Sequence, residues 1–249
     1  MCTLILIRKM LSEYPLIVAA NRDEKLARPA VSPAIIHHEP TIYAPLDLER
    51  MGTWIGVSDR GLFVGITNRD DIVSQQGRVS RGELVTRALL ARDAEHAKDC
   101  IMKNAAEQYN GFQLLIADRR DAFVIRGDGA RFELHSIVNE RVIVLTSRAT
   151  TFPDNSPRAK KIREHIRFRD RYHAATPRTL DRVLSLHEYR DPYGSVCVHK
   201  TGVEYGTRSS TIVRLNSVTK GFDVWHREGR ACAGHFGEPF HLPLCHSGP

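Results

Sequence analysis

Apolar residues occur in short blocks along the chain, and their spacing predicts its secondary structure. One run rich in β-branched residues covers residues 3–7, and a second apolar run covers residues 16–20. Runs of this length and composition are typical of buried strands. The polar residues between them, around Ser12 and Glu13, predict a turn. The sequence therefore predicts an amino-terminal hairpin whose first strand is built into a sheet.

Further apolar blocks, separated by polar turns, predict more strands along the chain. They lie at residues 54–58, 62–67, 112–117, 122–125, 132–135, 142–146, 196–199, 209–215 and 222–226. Most of these blocks follow one another in pairs, as expected of antiparallel hairpins.

Two pairs of helices are predicted between the blocks of strands. In the first pair, Ser80 and Glu83 have the spacing of a capping box, and Asp93 can cap the second helix. The second pair covers about residues 157–173 and the stretch from 176 to 187. Because strands and helices come in blocks rather than in strict alternation, the pattern favours an α+β fold with largely antiparallel sheets.

The composition is that of a globular protein of 249 residues, of which 42% are hydrophobic. This fraction allows a sizeable core, in one large domain or two small ones. No run of about 18 apolar residues is present, so we expect no membrane-spanning segment. The first apolar run is followed, not preceded, by Arg8 and Lys9, so no secretory signal is expected.

The cysteines are odd in number and lack the spacing of a disulfide framework. They are Cys2, Cys100, Cys197, Cys232 and Cys245. We therefore expect no structural disulfides and a reducing, cytoplasmic location.

The net charge of +7 raises the question of a nucleic-acid partner. Its densest source is the basic run at residues 158–171, where Ile162 and Ile166 would form the inner side of a helix. The basic residues would then lie on the solvent face. Because no nucleic-acid-binding module or interleaved aromatic pattern accompanies them, we predict no nucleic-acid partner. Attraction of an anionic ligand or lipid surface remains open.

Cys2 directly follows the initiator methionine. Removal of Met1 would leave a thiol and a free α-amine on one residue. The thiolate is the attacking species, and an α-amine of pKa about 7.7–8.0 can accept its proton near neutral pH. The alternative is that Cys2 serves as an ordinary small apolar residue.

The second predicted strand ends in Asn21-Arg22-Asp23-Glu24, which a hairpin would bring close to Cys2. Together with the Met-Cys start, this motif resembles the opening of the NRDE-motif family, of the transport and Golgi organisation type. More distantly it is similar to the cysteine branch of the N-terminal-nucleophile (Ntn) hydrolases, such as choloylglycine hydrolases and penicillin V acylases. Further matches run to about residue 213: Gly-Thr-Trp at 52–54, Gly-Ile-Thr-Asn at 65–68, Ser-Arg-Gly-Glu at 80–83, Asn-Gly-Phe at 110–112 and Gly-Thr-Arg-Ser-Ser-Thr at 206–211.

The resemblance implies a four-layer αββα sandwich, in which two largely antiparallel sheets are flanked by helix pairs. It implies a single Ntn-hydrolase-like domain over residues 1–230. Glycine and proline punctuation after that point predicts a loose extension over residues 231–249.

The resemblance also implies catalytic residues. Cys2 would be the nucleophile, and Asp23 would hold its amine, although an aspartate after a strand can also simply cap a turn. Asn68 would donate to a developing oxyanion, although it too could be a turn residue. Arg208 would orient the substrate and lower the thiol pKa.

Asn21, Arg22 and Ser147 are predicted to bind substrate. Because side chains alternate along a strand, Arg22 and Asp23 are not expected to face Cys2 together. Two positions depart from the family patterns: Ala20 stands where the related hydrolases place an arginine, and Ser147 stands where NRDE relatives place an asparagine. A serine hydroxyl can still donate one hydrogen bond.

The tail contains metal-binding residue types at Cys232, His235, His241 and Cys245. Their spacing fits no standard zinc motif, and an exposed tail is the simpler interpretation. We therefore predict neither a metal nor a cofactor.

Two functions of different classes remain. One is an N-terminal-cysteine amidohydrolase, or acylase, that acts on a small non-peptide acyl amide. The other, implied by the resemblance to the NRDE family, is a non-catalytic carrier or trafficking factor that handles haem or acyl lipids. A shared fold does not decide between them.

Overall fold

Two antiparallel sheets form the centre of the computed structural model, which describes residues 2–167, 176–187, 194–199 and 202–245. The first sheet has six strands: β1 (Cys2–Arg8), β2 (Leu16–Lys25), β10 (Val142–Thr146), β11 (Tyr205–Asn216), β12 (Gly221–Glu228) and β13 (Phe240–Pro243). Their order across the sheet is β10-β1-β2-β11-β12-β13. The first strand of the chain therefore lies inside the sheet, with a partner on each side.

The second sheet has seven strands in simple sequence order. They are β3 (Ala30–His38), β4 (Thr41–Asp47), β5 (Ile55–Ser58), β6 (Phe63–Asn68), β7 (Phe112–Ala117), β8 (Ala122–Gly127) and β9 (Phe132–Ser136). Each neighbouring pair in this sheet is antiparallel.

Alternation of side chains along β1 explains why it is apolar throughout. Leu4 and Leu6 pack into the core between the two sheets, where they join Phe63 of β6. Ile5 and Ile7 point the other way, into a second core beneath helices. A strand buried on both faces needs a continuous apolar run, which is the pattern in the sequence.

Helices cover the outer face of each sheet. Helices α1 (Arg81–Leu89) and α2 (Ala94–Met102) bury their apolar sides against the seven-stranded sheet. Helices α3 (Pro157–Arg167) and α4 (Pro177–Leu184) pack on the six-stranded sheet. The predicted α+β fold with four αββα layers is confirmed.

Two unpredicted strands, one predicted strand that does not form and one helix end differ from the prediction. Strands β3 and β4 were not predicted, because β3 is largely exposed and lies at the sheet edge, so no apolar run marks it. Residues 196–199 form no strand beyond one bridge between His199 and Gly206. Helix α4 ends at Leu184 rather than 187. Helix α3 is seen to Arg167, and the rest of its predicted range lies outside the described residues.

The two predicted helix caps have different outcomes. The Asp93 side chain accepts from the His96 backbone N–H at 2.7 Å and caps α2 as predicted. The Ser80 side chain makes no capping hydrogen bond. Glu83 is 3.6 Å from Arg87 one turn later, so the predicted capping box does not form.

The tail contributes structure to the first sheet. Strand β13 pairs with β12, and Leu242 is buried in the core between the sheets. A short 3₁₀ helix covers Ala231–Ala233, and Ala231 is buried. Up to residue 245 the segment is thus more ordered than the predicted loose extension, because it completes a sheet edge. The domain boundary at residue 230 stays a prediction. Within the described residues, no helix combines the length and apolarity needed to cross a membrane.

The central position of β1 generates a stability prediction. Leu6 is fully buried between the sheets, so Leu6→Ala should lower the free energy of unfolding by ~2–5 kcal/mol. Urea unfolding followed by circular dichroism measures this change. The matched control is Val73→Ala, since Val73 is 87% exposed and should change stability by less than about 0.5 kcal/mol. Equal effects of the two substitutions would contradict the placement of β1.

Candidate active site

Cys2 begins β1 at the wall of a cavity of about 370 Å³. It is partly buried and lies directly opposite Arg22 of β2. Opposed residues of an antiparallel pair share a face, so both side chains lie on the side of the sheet that carries Leu4. The cavity thus opens beside the thiol, at the end of the core between the sheets.

The backbone nitrogen of Cys2 is held by a serine–aspartate pair. It donates to Ser147 Oγ at 3.3 Å, and Ser147 N donates to the Cys2 carbonyl at 3.1 Å. The Ser147 hydroxyl donates in turn to Asp70 Oδ2 at 3.0 Å. Because the single hydroxyl proton points at Asp70, the lone pairs of Oγ face the Cys2 nitrogen. Ser147 therefore holds this nitrogen and directs its hydroxyl proton at Asp70, and it is not among the residues that line the cavity. Its predicted substrate-binding role stays a prediction.

Asp23 lies next to the Cys2–Arg22 pair along β2, beside the end of β1. Its side chain is on the opposite face of the sheet from the thiol, as alternation along the strand requires. Thr207 Oγ1 donates to its carboxylate at 2.6 Å, and Arg158 Nη1 lies 3.5 Å from it. The Cys2 sulfur is 3.9 Å from the Asp23 carbonyl oxygen. Asp23 is thus a buried carboxylate behind the strand end that carries the thiol.

Burial shifts the titration of both groups. Burial raises the pKa of Asp23 to about 6, although the positive charge of Arg158 opposes this rise. Burial also raises the pKa of the Cys2 thiol, and the negative charge of Asp23 adds to that effect. A thiol with a raised pKa stays protonated near neutral pH, so it needs a base to become a nucleophile.

Asn68 and Arg22 lie where the sequence predicts a site. Asn68 ends β6 and lines the cavity together with Cys2. Arg22 also lines the cavity, and its guanidinium is fixed 2.7 Å from Asp47 and 4.1 Å above the Trp54 ring. The structure therefore brings Cys2, Arg22 and Asn68 to one cavity.

Asn21 and Arg208 do not line this cavity. The Asn21 amide donates to the carbonyls of Leu184 and Val196, each at 2.9 Å, on the helix side of the sheet. Arg208 lies at a bulge in β11 and donates to the Leu26 carbonyl at 2.6 Å. Both side chains make hydrogen bonds to the backbone, so the structure does not bring them to the cavity with Cys2, and their predicted roles stay predictions.

The sequence did not predict three residues of the site, Arg158, Thr207 and Asp70. Arg158 belongs to the basic run expected on a solvent face, yet it is 3% exposed and donates to Thr3 Oγ1 at 3.0 Å. Arg158 lies in the first turn of α3, over the sheet. This position is the signal that distinguishes it from the other basic residues of the run. Nothing in the sequence singles out Thr207 or Asp70. Each lies one or two positions from a residue with a predicted role, Arg208 or Asn68.

Arginines give the cavity its charge. Its lining contains the five arginines Arg22, Arg28, Arg50, Arg78 and Arg81, and the three carboxylates Glu24, Asp47 and Glu49. The first two arginines pair with Asp47. The other three donate to carbonyl or amide oxygens, and none has a carboxylate within salt-bridge distance among the described residues. The cavity therefore attracts anions.

The tail residues considered as metal ligands do not converge. His241 Nδ1 lies 2.9 Å from Asp223, and His235 Nδ1 lies 3.4 Å from Asp181. Cys232 instead contacts His199, with its sulfur 3.2 Å from Nε2.

Comparisons with known proteins agree with this architecture. A conjugated bile acid hydrolase from Clostridium perfringens has a TM-score of 0.53 and 9% identity, with 96% of each chain covered. An N-acylethanolamine-hydrolyzing acid amidase ortholog from Caenorhabditis elegans has a TM-score of 0.60 and 13% identity, over 85% of this chain and 92% of that one. At such identities the likeness concerns the fold, which is Ntn-hydrolase-like.

Sequence similarity identifies the family. The chain is 38% identical over 112 residues to the Transport and Golgi organization protein 2 homolog of Homo sapiens, which is 42% of this chain and only 39% of that protein. The match thus spans about two fifths of the relative's length. A model of the family described as Transport and Golgi organisation 2 matches residues 1–222. The chain therefore belongs to the Transport and Golgi organisation 2 family.

Proposed function

We propose that this chain is an N-terminal-cysteine amidohydrolase that cleaves a small non-peptide acyl amide. The observation that carries the proposal is the Cys2 nitrogen, held 3.3 Å from Ser147 Oγ on the residue whose thiol borders the cavity. Once Met1 is removed, this nitrogen is an α-amine already oriented beside the sulfur. The Ntn-hydrolase-like fold supports the same chemistry.

The reaction would proceed through a thioester. The Cys2 amine takes the thiol proton, and the sulfur attacks the carbonyl carbon of the amide. The resulting oxyanion receives a hydrogen bond from the Asn68 amide, a type of contact worth ~10²–10³ in rate. The protonated amine then gives its proton to the leaving nitrogen as the C–N bond breaks. Water attacks the thioester after losing a proton to the amine, and the acid product leaves as the thiol re-forms.

Asp23 and the Ser147–Asp70 pair have separate roles in this scheme. When ionised, Asp23 favours the ammonium form of the neighbouring amine, which helps the amine to accept the thiol proton. Ser147 accepts a hydrogen bond from the amine and so fixes which way its lone pair points. Arg158 and Thr207 keep the Asp23 carboxylate in place.

The arginines of the cavity favour a substrate with an anionic group. Arg50, Arg78 and Arg81 supply positive charge without a carboxylate partner among the described residues. A cavity of about 370 Å³ lies within the range of small-molecule sites. An acyl amide with a carboxylate or phosphate group at one end fits both properties.

The same cavity supports one alternative, a carrier of haem or acyl lipids. Its arginines could pair with the carboxylates of haem or with a lipid headgroup without any reaction at Cys2. The family name refers to transport, and two departures from the related patterns, at Ala20 and Ser147, concern the catalytic surroundings. Ligand binding that survives Cys2→Ala would favour this function.

The first functional prediction concerns the acyl-enzyme. Mass spectrometry of the intact protein should find Met1 absent, and an activated ester carrying a carboxylate should acylate Cys2. A neutral ester of the same length should react more slowly, because the arginines attract the anion. Peptide mapping of the adduct measures both results, and Cys100→Ser is the matched control, since Cys100 is exposed on α2.

Retention of Met1 would contradict the catalytic proposal, because the Cys2 nitrogen would then be an amide and could not act as a base. Failure of both esters to label Cys2, together with a haem spectral shift that persists in Cys2→Ala, would favour the carrier instead.

A second prediction concerns pH. The pKa of Asp23 is about 6, so its carboxylate is neutral below that pH and charged above it. The acylation rate should therefore rise as pH increases through about 6. Asp23→Asn should lower the rate and remove this rise. Thr207→Val deletes a hydrogen bond to the carboxylate, so it should move the rise to higher pH. A rise that is unchanged in both variants would assign it to another group.

A third prediction concerns the pair that holds the amine. Ser147→Ala removes the acceptor beside the Cys2 nitrogen and should slow acylation by ~10–100-fold, which is in the range of a lost positioning contact. Asp70→Asn should slow it less, because Ser147 remains. Circular dichroism checks that both variants are folded, and burst kinetics gives the rate. Wild-type rates in Ser147→Ala would show that the serine does not orient the amine.

A further inference from the structure

Two cysteines and two histidines converge away from the Cys2 cavity. Cys197 belongs to the apolar core under α4, on the opposite face of the six-stranded sheet from the Cys2 thiol. His199 Nε2 lies 3.2 Å from the sulfur of Cys197 and 3.2 Å from that of Cys232. A ring nitrogen of His187, one of His199 and the Cys232 sulfur all lie within 4.8 Å of one another.

Three separate segments supply these residues, and hydrogen bonds to backbone carbonyls hold them together. His187 follows α4, and the neighbouring Leu186 carbonyl accepts from both Val196 N and Cys197 N, at 2.9 and 2.8 Å. Ser185 Oγ donates to the Ala231 carbonyl at 2.7 Å, next to Cys232. The cluster is thus built into the fold and is not a chance contact of exposed side chains.

We propose that Cys197, Cys232, His187 and His199 bind one Zn²⁺ ion. Two thiolates and two imidazoles are a standard tetrahedral donor set for zinc. With Zn–S of about 2.3 Å and Zn–N of about 2.0 Å, sulfur and nitrogen ligands of one ion lie ~3.5 Å apart. The two sulfur–nitrogen distances of 3.2 Å are within a few tenths of that value. The group whose ligand atoms all lie within 4.8 Å of one another consists of His187, His199 and Cys232, so a movement of the Cys197 side chain would complete the site.

The hydrogen bonding of His187 fits a ligand. Its Nδ1 is 3.2 Å from the Ser185 carbonyl oxygen. A carbonyl only accepts, so the ring proton is on Nδ1, and the lone pair of the neutral ring is on Nε2. Zinc-bound histidines usually donate their second nitrogen in this way, to a backbone carbonyl or a carboxylate.

The charge balance also favours zinc. Binding forms two Zn–S and two Zn–N bonds and releases the two thiol protons to solvent, with no change of oxidation state. Two thiolates neutralise the dication, which suits a site where Cys197 is fully buried among apolar residues. Soft sulfur ligands select zinc over magnesium or calcium.

Four protein ligands leave no open position, so the ion would be structural. It would fasten the start of the tail, through Cys232, to residues 194–199. That segment borders the active site: Val198 N donates to Thr207 Oγ1 at 2.8 Å, and the same hydroxyl donates to Asp23. From the sequence, only Cys232 and the later tail residues were considered as ligands, and no metal was predicted. The proposed ligands are spread from residue 187 to 232 without a short repeated spacing that would mark them.

The test measures metal in the full-length protein purified under reducing conditions. We expect one equivalent of zinc per chain by elemental mass spectrometry after dialysis. Protein stripped by a chelator should rebind Zn²⁺ in competition with a chromophoric chelator. Co²⁺ in its place should show thiolate-to-cobalt charge transfer in the near ultraviolet. Cys2→Ala should bind zinc as the wild type does, which separates this inference from the proposed catalysis.

Variants identify the ligands. Cys232 is exposed, so the Cys232→Ser variant should fold. This substitution should weaken Zn²⁺ affinity by at least ~100-fold, and His187→Ala should weaken the affinity by at least ~10-fold. The matched controls Cys100→Ser and His235→Ala should bind normally. Unchanged affinity in Cys232→Ser overturns the proposal. Failure of the reduced wild type to bind Zn²⁺ overturns it as well, and so does a Cys197–Cys232 disulfide recovered from zinc-treated, reduced protein.

Discussion

Hydrogen bonding of β1 on both of its edges is the constraint on which the rest of the structure depends. Pairing with β2 and β10 fixes Cys2 opposite Arg22 and next to Ser147. An ordinary chain end frays in solvent, but here the sheet holds the chain from Cys2 onward. The position of the Cys2 nitrogen is therefore set by the sheet and not by the side chains of the cavity.

The strand end also separates two environments. The Cys2 thiol faces the cavity between the sheets, whereas the Asp23 carboxylate lies under α3 with Arg158 and Thr207. The Cys2 nitrogen lies at the strand end between them, 3.3 Å from Ser147 Oγ. The negative charge of Asp23 is thus kept out of the cavity, whose lining keeps its excess of arginines.

Local pattern was enough to predict β1, β2 and the α+β class, whereas the four-layer arrangement and the grouping of Asn68 with Cys2 came from the family resemblance. It failed where the outcome depends on contacts between distant segments. Ser147 was predicted to bind substrate because nothing in the sequence shows that its hydroxyl donates a hydrogen bond to Asp70. Arg158 was placed in solvent because a basic run does not reveal which arginine points inward. Arg208 was assigned from the family motif, and nothing in the sequence shows the bulge in β11 at which it lies.

The way the first strand is enclosed has a practical consequence for anyone producing the protein. If Met1 is removed as proposed, a purification tag or fluorescent reporter joined ahead of Cys2 would keep its nitrogen an amide and extend the chain at the cavity wall. Such a fusion could keep the sheet and pass every test of folding while lacking the basic group. A tag placed at the carboxyl terminus avoids this problem, because a lack of activity could then not be caused by the tag blocking the Cys2 nitrogen.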